Sequence, residues 1–168
     1  MAIDEVNDRG GILGRRVEAL VRDGGSDAET FAAQAERLIH DEQVSTIFGC
    51  WTSASRKAVL PVLARHRHLL WYPVQYEGFE RSPYVIYTGA TANQQILPAV
   101  AWAVRHLGRR ALLVGSDYIF PRTAHRIIRG ELKRLGATCV GELLRPLGSS
   151  DFASLPSAIS KSRPDFIL

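Results

Sequence analysis

Short apolar runs, each stopped by glycine or proline and each followed by a stretch of helical period, recur along this chain. Val44 to Phe48 stops at Gly49, His68 to Tyr72 at Pro73, and Ala111 to Val114 at Gly115. Between them lie segments with apolar residues three and four apart: Phe31, Ala35, Leu38 and Ile39; then Ile96, Leu97, Val100 and Val104; then Ala124, Ile127, Ile128, Leu132 and Leu135. A continuous apolar run of this length suits a strand buried on both faces, and the interleaved helices supply the crossovers that parallel strands need. The pattern predicts an α/β fold with parallel sheets.

The remaining elements follow from local signals. Residues 2–9 read as a helix end stopped by Gly10-Gly11, and Arg16 to Val21 as a strand. Ser26-Asp27-Ala28-Glu29 reads as a capping box with Ser26 as the cap. Ala54 to His66 reads as a helix that Pro61 should kink, because proline removes a donor and crowds the preceding turn. Tyr84 to Tyr87 is a further short strand. Asn93 is the expected cap of the helix closed by Gly108. Pro121 opens the next helix and Gly136 closes it. Thr138 to Leu144 is a strand, Ser150 or Asp151 caps a helix through Phe152, Leu155 and Ile159, and Asp165 to Leu168 begins a last strand. Strand, hydroxyl- or tyrosine-bearing loop and helix follow one another in residues 44–66 and again in 111–136.

With 168 residues, 46% of them hydrophobic, the chain can bury a real core as one domain or two small lobes. The formal charge of +4 comes from 21 basic and 17 acidic residues spread along the chain. Its densest basic spots, Arg65-His66-Arg67-His68 and Arg109-Arg110, lack aromatic interleaving or a known reader motif, which argues against a nucleic-acid partner. No apolar stretch is long enough to span a bilayer. The acidic, amphipathic start is not a signal peptide, so the chain as written is expected to be cytoplasmic.

Catalytic signatures are missing. There is no Gly-x-Ser-x-Gly elbow, Walker loop, His-Glu-x-x-His or Gly-x-Gly-x-x-Gly, so neither an enzyme nor a nucleotide cofactor is expected. His66 and His68 flank Arg67 without a third ligand, so no metal is expected. Cys50 and Cys139 read as two buried free thiols, with a disulfide between them as the open alternative, and Cys50 has no clearly poised base to activate it. Glu77 and Glu80 read as solvated or structural carboxylates.

What the loops do contain is ligand-binding chemistry. Gly49-Cys50-Trp51-Thr52-Ser53 and Trp71-Tyr72-Pro73-Val74-Gln75-Tyr76 put aromatic, hydroxyl and amide groups where two strands end, and Gly115-Ser116-Asp117-Tyr118 does so at a third. Parallel sheets bind ligands outside the carboxyl ends of their strands.

These segments, with Asn7-Asp8-Arg9-Gly10-Gly11 and Tyr87-Thr88-Gly89-Ala90, resemble the urea- and short-amide-binding branch of the type I periplasmic binding proteins. The resemblance implies two Rossmann-like lobes, here residues 1–92 and 93–168, closing on a small neutral amide as the substrate-binding component of an ABC uptake system. It implies that the first strand and the C-terminal half of the fold are absent from this chain. It implies ligand contacts from Trp51, Thr52, Ser53, Tyr72, the backbone around Val74 and Gln75, and Tyr118, with Thr88 and Gln94 as weaker candidates. No catalytic residue, metal or cofactor is implied. The partners implied are the small solute and, at full length, an ABC permease in a periplasmic setting; open sheet edges would permit a homodimer or strand exchange. Two alternatives stay open: a cytoplasmic amide sensor controlling amidase expression, and a branched-chain amino-acid receptor. The sensor typically carries another aromatic where Trp51 stands and Thr-Pro where Val74-Gln75 stands.

Overall fold

A computed structural model describes residues 2–168 as an α/β protein with two parallel sheets. In chain order the elements are α1 (Ala2–Asp8), α2 (Ala28–His40), β1 (Ile47–Phe48), α3 (Ser53–His66), β2 (Leu70–Tyr72), β3 (Val85–Tyr87), α4 (Ile96–His106), β4 (Arg110–Ser116), α5 (Ile119–Arg134), β5 (Thr138–Arg145), α6 (Leu155–Ser162) and β6 (Phe166–Ile167). The first sheet has the order β1-β2-β3 and the second β5-β4-β6, with every pairing parallel.

Each sheet carries its own core. Around the first, Val59, Val62 and Leu63 of α3 pack with Ala35, Leu70, Tyr72 and Val85. Around the second, Val100 and Ala103 of α4 and Ile128 and Leu132 of α5 pack on Ala111, Leu113 and Phe166. In the second sheet β5 and β6 lie on opposite sides of β4. The strand order therefore reverses at β4, and Gly115 to Tyr118 sit at its carboxyl end, the position where sheets of this kind take ligands. Helices α3 and α5 touch, so the loops that precede them face one another.

Several expectations need correction. Residues 16–21 form no strand. Their backbone is fixed at Val17, whose N–H donates to Asn7 Oδ1 at 2.7 Å, while Asn7 Nδ2 donates to the Val17 carbonyl at 2.9 Å. Leu20 and Val21 are exposed, because an apolar alternation becomes a strand only where a ladder partner lies beside it. The run from Val44 pairs only at Ile47 and Phe48. Asp27, not Ser26, caps α2: its carboxylate accepts from Thr30 N at 2.7 Å, whereas Ser26 is left-handed with φ 57°. Asn93 does not cap α4, which starts at Ile96 after a turn in which Gln94 Oε1 accepts from Thr91 N. Helix α6 starts at Leu155 behind Ser154, with Pro156 in its first turn and Phe152 exposed outside it. Helix α3 runs uninterrupted through Pro61, whose ring lies on the exposed side.

Candidate functional site

The link from β1 to α3 turns sharply at Cys50, which takes a left-handed φ of 64°. That turn lets Thr52 cap α3. Ser55 N donates to Thr52 Oγ1 at 3.0 Å and Thr52 N donates to Ser55 Oγ at 3.2 Å, a closed capping box. Thr52, expected as a ligand contact, thus spends its hydroxyl on the helix. The N–H groups of Ser53 and Ala54, in the first turn, have no hydrogen-bond partner among the described residues.

Ser53 is 2% exposed. Its Oγ donates to Glu77 Oε2 at 2.6 Å and accepts from Arg56 Nη1 at 3.2 Å. Arg56, one helical turn further along α3, has no exposed surface. It donates from Nε to Glu80 Oε1 at 2.7 Å and from Nη2 to Glu77 Oε1 at 3.3 Å. Tyr87 adds a hydrogen bond to Glu80 Oε1 at 2.7 Å, and Lys57 Nζ lies 3.0 Å from Glu80 Oε2. Burial resists ionisation of Glu80, but the donors from Arg56, Tyr87 and Lys57 outweigh it and bring its pKa down to about 2. The same burial, joined by the bond to Glu80, pushes the Tyr87 phenol well above its ordinary range. Glu77 and Glu80 are therefore structural and not solvated: they neutralise one buried guanidinium that lies against the rings of Tyr72 and Tyr76.

Above this buried layer is a cleft of about 50 Å³, lined by Trp51, Ser53, Tyr72, Val74, Gln75 and Phe120. Tyr72 is fully buried, and its hydroxyl donates to the Trp51 carbonyl at 3.3 Å. Trp51 remains 74% exposed, so its ring forms a lip. The backbone at Val74 and Gln75 packs directly on Gly89: a Cβ on Gly89 would sit 2.0 Å from the Val74 carbonyl oxygen, which only glycine permits. Phe120, in the first turn of α5, supplies the facing wall from the second sheet.

Five of the seven expected contacts thus come together, at Trp51, Ser53, Tyr72, Val74 and Gln75. Thr52 is the helix cap, and Tyr118 stands at the N-cap of α5 outside the lining, partly buried and close enough for the Glu77 charge to help raise its phenol pKa after burial does so. Thr88 and Gln94 are structural: Thr88 donates from N and Oγ1 to the Tyr72 carbonyl, and Gln94 closes the turn before α4. Phe120 and the Arg56–Glu77–Glu80 layer escaped sequence reasoning. The available signal was spacing, since Ser53 and Arg56 are three apart and share a helix face with Val59 and Leu63.

Cys50 and Cys139 are free; Cys50 is buried, which pushes its thiol pKa up to about 11 against the opposing pull of Arg56, and Cys139 is half-buried. His66 pairs with Glu36 and His68 with the Val44 carbonyl, and no metal-binding group of His, Cys, Asp and Glu occurs among the described residues.

The profile of the periplasmic binding protein domain matches residues 1–168. The chain belongs to this family. Solved structures that it resembles at 26% and 27% identity are solute-binding proteins of ABC transporters. A solute-binding protein of an ABC transporter from Rhodopseudomonas palustris, in complex with 4-hydroxybenzoate, is 27% identical with a TM-score of 0.88, over 98% of this chain and 46% of that one. A second, from R. palustris HaA2 in complex with p-hydroxybenzoic acid, is 26% identical with a TM-score of 0.89 over the same shares. The branched-chain amino acid transporter substrate-binding protein LivJ from Streptococcus pneumoniae, in complex with isoleucine, shares the fold at 19% identity and a TM-score of 0.85, over 95% of this chain and 46% of that one. The chain spans about half the length of these solved structures. Among the described residues no helix is long and apolar enough to cross a membrane.

Proposed function

We propose that this chain forms the solute-contacting part of a substrate-binding component of an ABC uptake system, and that its solute is a small neutral amide such as urea or acetamide. The observation that carries this reading is the lining of the cleft: rings, a hydroxyl, an aliphatic side chain and an amide, with no charged side chain among them. Arg56, the cation closest to hand, is fully engaged by Glu77 and Glu80. A flat neutral solute would slot between Trp51, Tyr72 and Phe120 and exchange hydrogen bonds with Ser53, Gln75, the Val74 carbonyl and the first N–H groups of α3. Residues 1–92 and 93–168 would act as two lobes, with Tyr118 closing from the second, and an ABC permease would receive the solute. Open sheet edges would let two copies associate.

A second reading, an aromatic acid, draws on the hydroxybenzoates held by two relatives and on the unpartnered Ser53 and Ala54 N–H groups at the start of α3, a type of site that suits a carboxylate. Isothermal titration of the purified chain with urea, formamide, acetamide, leucine and 4-hydroxybenzoate separates them. Saturable heat with urea or an amide supports the first reading. Heat with 4-hydroxybenzoate or leucine alone replaces it.

A further inference from the structure

The proton of the Ser53 hydroxyl is already committed. Ser53 Oγ donates to Glu77 Oε2 at 2.6 Å. Glu77 is 4% exposed and ion-paired with Arg56, and a carboxylate can only accept. Arg56 Nη1 donates to the same Oγ at 3.2 Å and occupies one lone pair. The Tyr72 phenol also lies beside Ser53, but its proton goes to the Trp51 carbonyl at 3.3 Å. The remaining lone pair of Ser53 lies beside the Tyr72 oxygen at the edge of the cleft, which both residues line.

We propose that Glu77 fixes Ser53 as a hydrogen-bond acceptor, so that the cleft selects solutes that present an N–H or O–H donor to it. This rests on the small-amide reading and names the polarity of one of its contacts. A ligand carbonyl or carboxylate aimed at Ser53 would meet a lone pair, and would have to break the buried bond to Glu77 to gain a donor. Such oxygens must instead find the Ser53 and Ala54 N–H groups. Glu77 lies outside the lining of the cleft, so it is a positioning residue that acts through Ser53.

The network also dictates how the polarity can be inverted. In a Glu77→Gln variant, Arg56 Nη2 still requires an acceptor, so the amide turns its oxygen to Arg56 and its NH₂ to Ser53. Ser53 then accepts from that NH₂, and its own proton is released toward the cleft. A purely structural role for Glu77 would weaken all solutes alike, whereas a polarity role changes their order.

The test uses acetamide and acetone, neutral molecules of similar shape that both keep the carbonyl and differ in the N–H donors. Titration calorimetry of the purified chain and of its Ser53→Ala and Glu77→Gln variants gives the ratio of their affinities. The expected result is acetamide over acetone by about tenfold or more in the unaltered chain, a ratio that shrinks toward unity in Ser53→Ala and is levelled or inverted in Glu77→Gln. Thermal unfolding followed by circular dichroism checks that each variant folds. Ser53→Ala leaves the Arg56–Glu77 pair in place and decides the matter alone if Glu77→Gln does not fold. An acetamide-to-acetone ratio that is the same in the chain and in Ser53→Ala overturns the inference and leaves the amide reading standing. No saturable heat with urea or acetamide in the unaltered chain overturns the amide reading, and the inference with it.

Discussion

The guanidinium carbon of Arg56 lies 4.7 Å from the centroid of the Tyr72 ring, and Arg56 has no exposed surface. A cation so placed is held by the ring quadrupole on one side and by Glu77 and Glu80 on the other. Removing it strands two buried carboxylates. Arg56→Met is expected to cost about 3–5 kcal/mol of folding stability, the magnitude for breaking a buried ion pair from one side. Guanidinium chloride unfolding followed by circular dichroism measures the loss. A triple variant, Arg56→Met with Glu77→Gln and Glu80→Gln, should recover much of it, since no uncompensated charge is then left inside.

Acid should act through Glu80. Its folded pKa of about 2 lies below the ordinary 4.5, so its ionisation stabilises the fold fully above about pH 4.5, and that contribution is lost as the pH falls toward 2. Thermal midpoints taken from pH 7 down to pH 2.5 should hold steady at first and then fall inside this window. Glu80→Gln should lower the midpoint at pH 7 and flatten the fall below pH 4.5. An equally steep acid limb in the variant would assign the loss to other carboxylates.

The two thiols should differ in reactivity. Cys50 is buried with its pKa raised to about 11, so little thiolate forms there at pH 8, whereas Cys139 is half-buried on β5. Iodoacetamide followed by peptide mass spectrometry should find Cys139 labelled first in the native chain. Cys50 should become reactive only when the chain is unfolded.

What could be read from sequence and what could not divide along physical lines. Strand β4 and helix α5 were legible to within one or two residues at each end, α5 starting at Ile119 ahead of Pro121, because Ala111 to Val114 is an unbroken apolar run and the α5 residues keep one helical face. The strand at 16–21 was misread because apolar spacing reports which side chains seek burial and not whether a neighbouring strand exists. Ser26 and Asp27 are both competent caps, and only the left-handed backbone at Ser26 decides between them. In the candidate site, the aromatic and hydroxyl loops pointed to the cleft, but Arg56 did not stand out. An arginine on a helix usually reads as solvated, and its burial depends on Glu77 and Glu80, more than twenty residues away.

Gly89→Ala should disturb both the fold and the cleft. The added methyl would lie 2.0 Å from the Val74 carbonyl oxygen and 2.7 Å from Gln75 N, so the backbone on one side of the cleft must move. Overpacking of this kind costs about 1–3 kcal/mol. Chemical unfolding should register that loss, and titration with the bound solute should show weakened affinity beyond any fraction unfolded. A variant of unchanged stability would mean that the 73–76 loop yields freely.

Phe120 and Tyr118 make a sharper comparison, because only one of them lines the cleft. Phe120 faces Trp51 and Tyr72 from the first turn of α5, while Tyr118 caps that helix outside the lining. If apolar cover from the second sheet contributes to binding, Phe120→Ala should weaken the bound solute about tenfold or more, the equivalent of part of a buried aromatic side chain. Tyr118→Ala should weaken it less. Calorimetric titration of both variants, each checked for an unchanged thermal midpoint, gives the order. The reverse order would place Tyr118 over the ligand and mean that α5 turns when the cleft is filled.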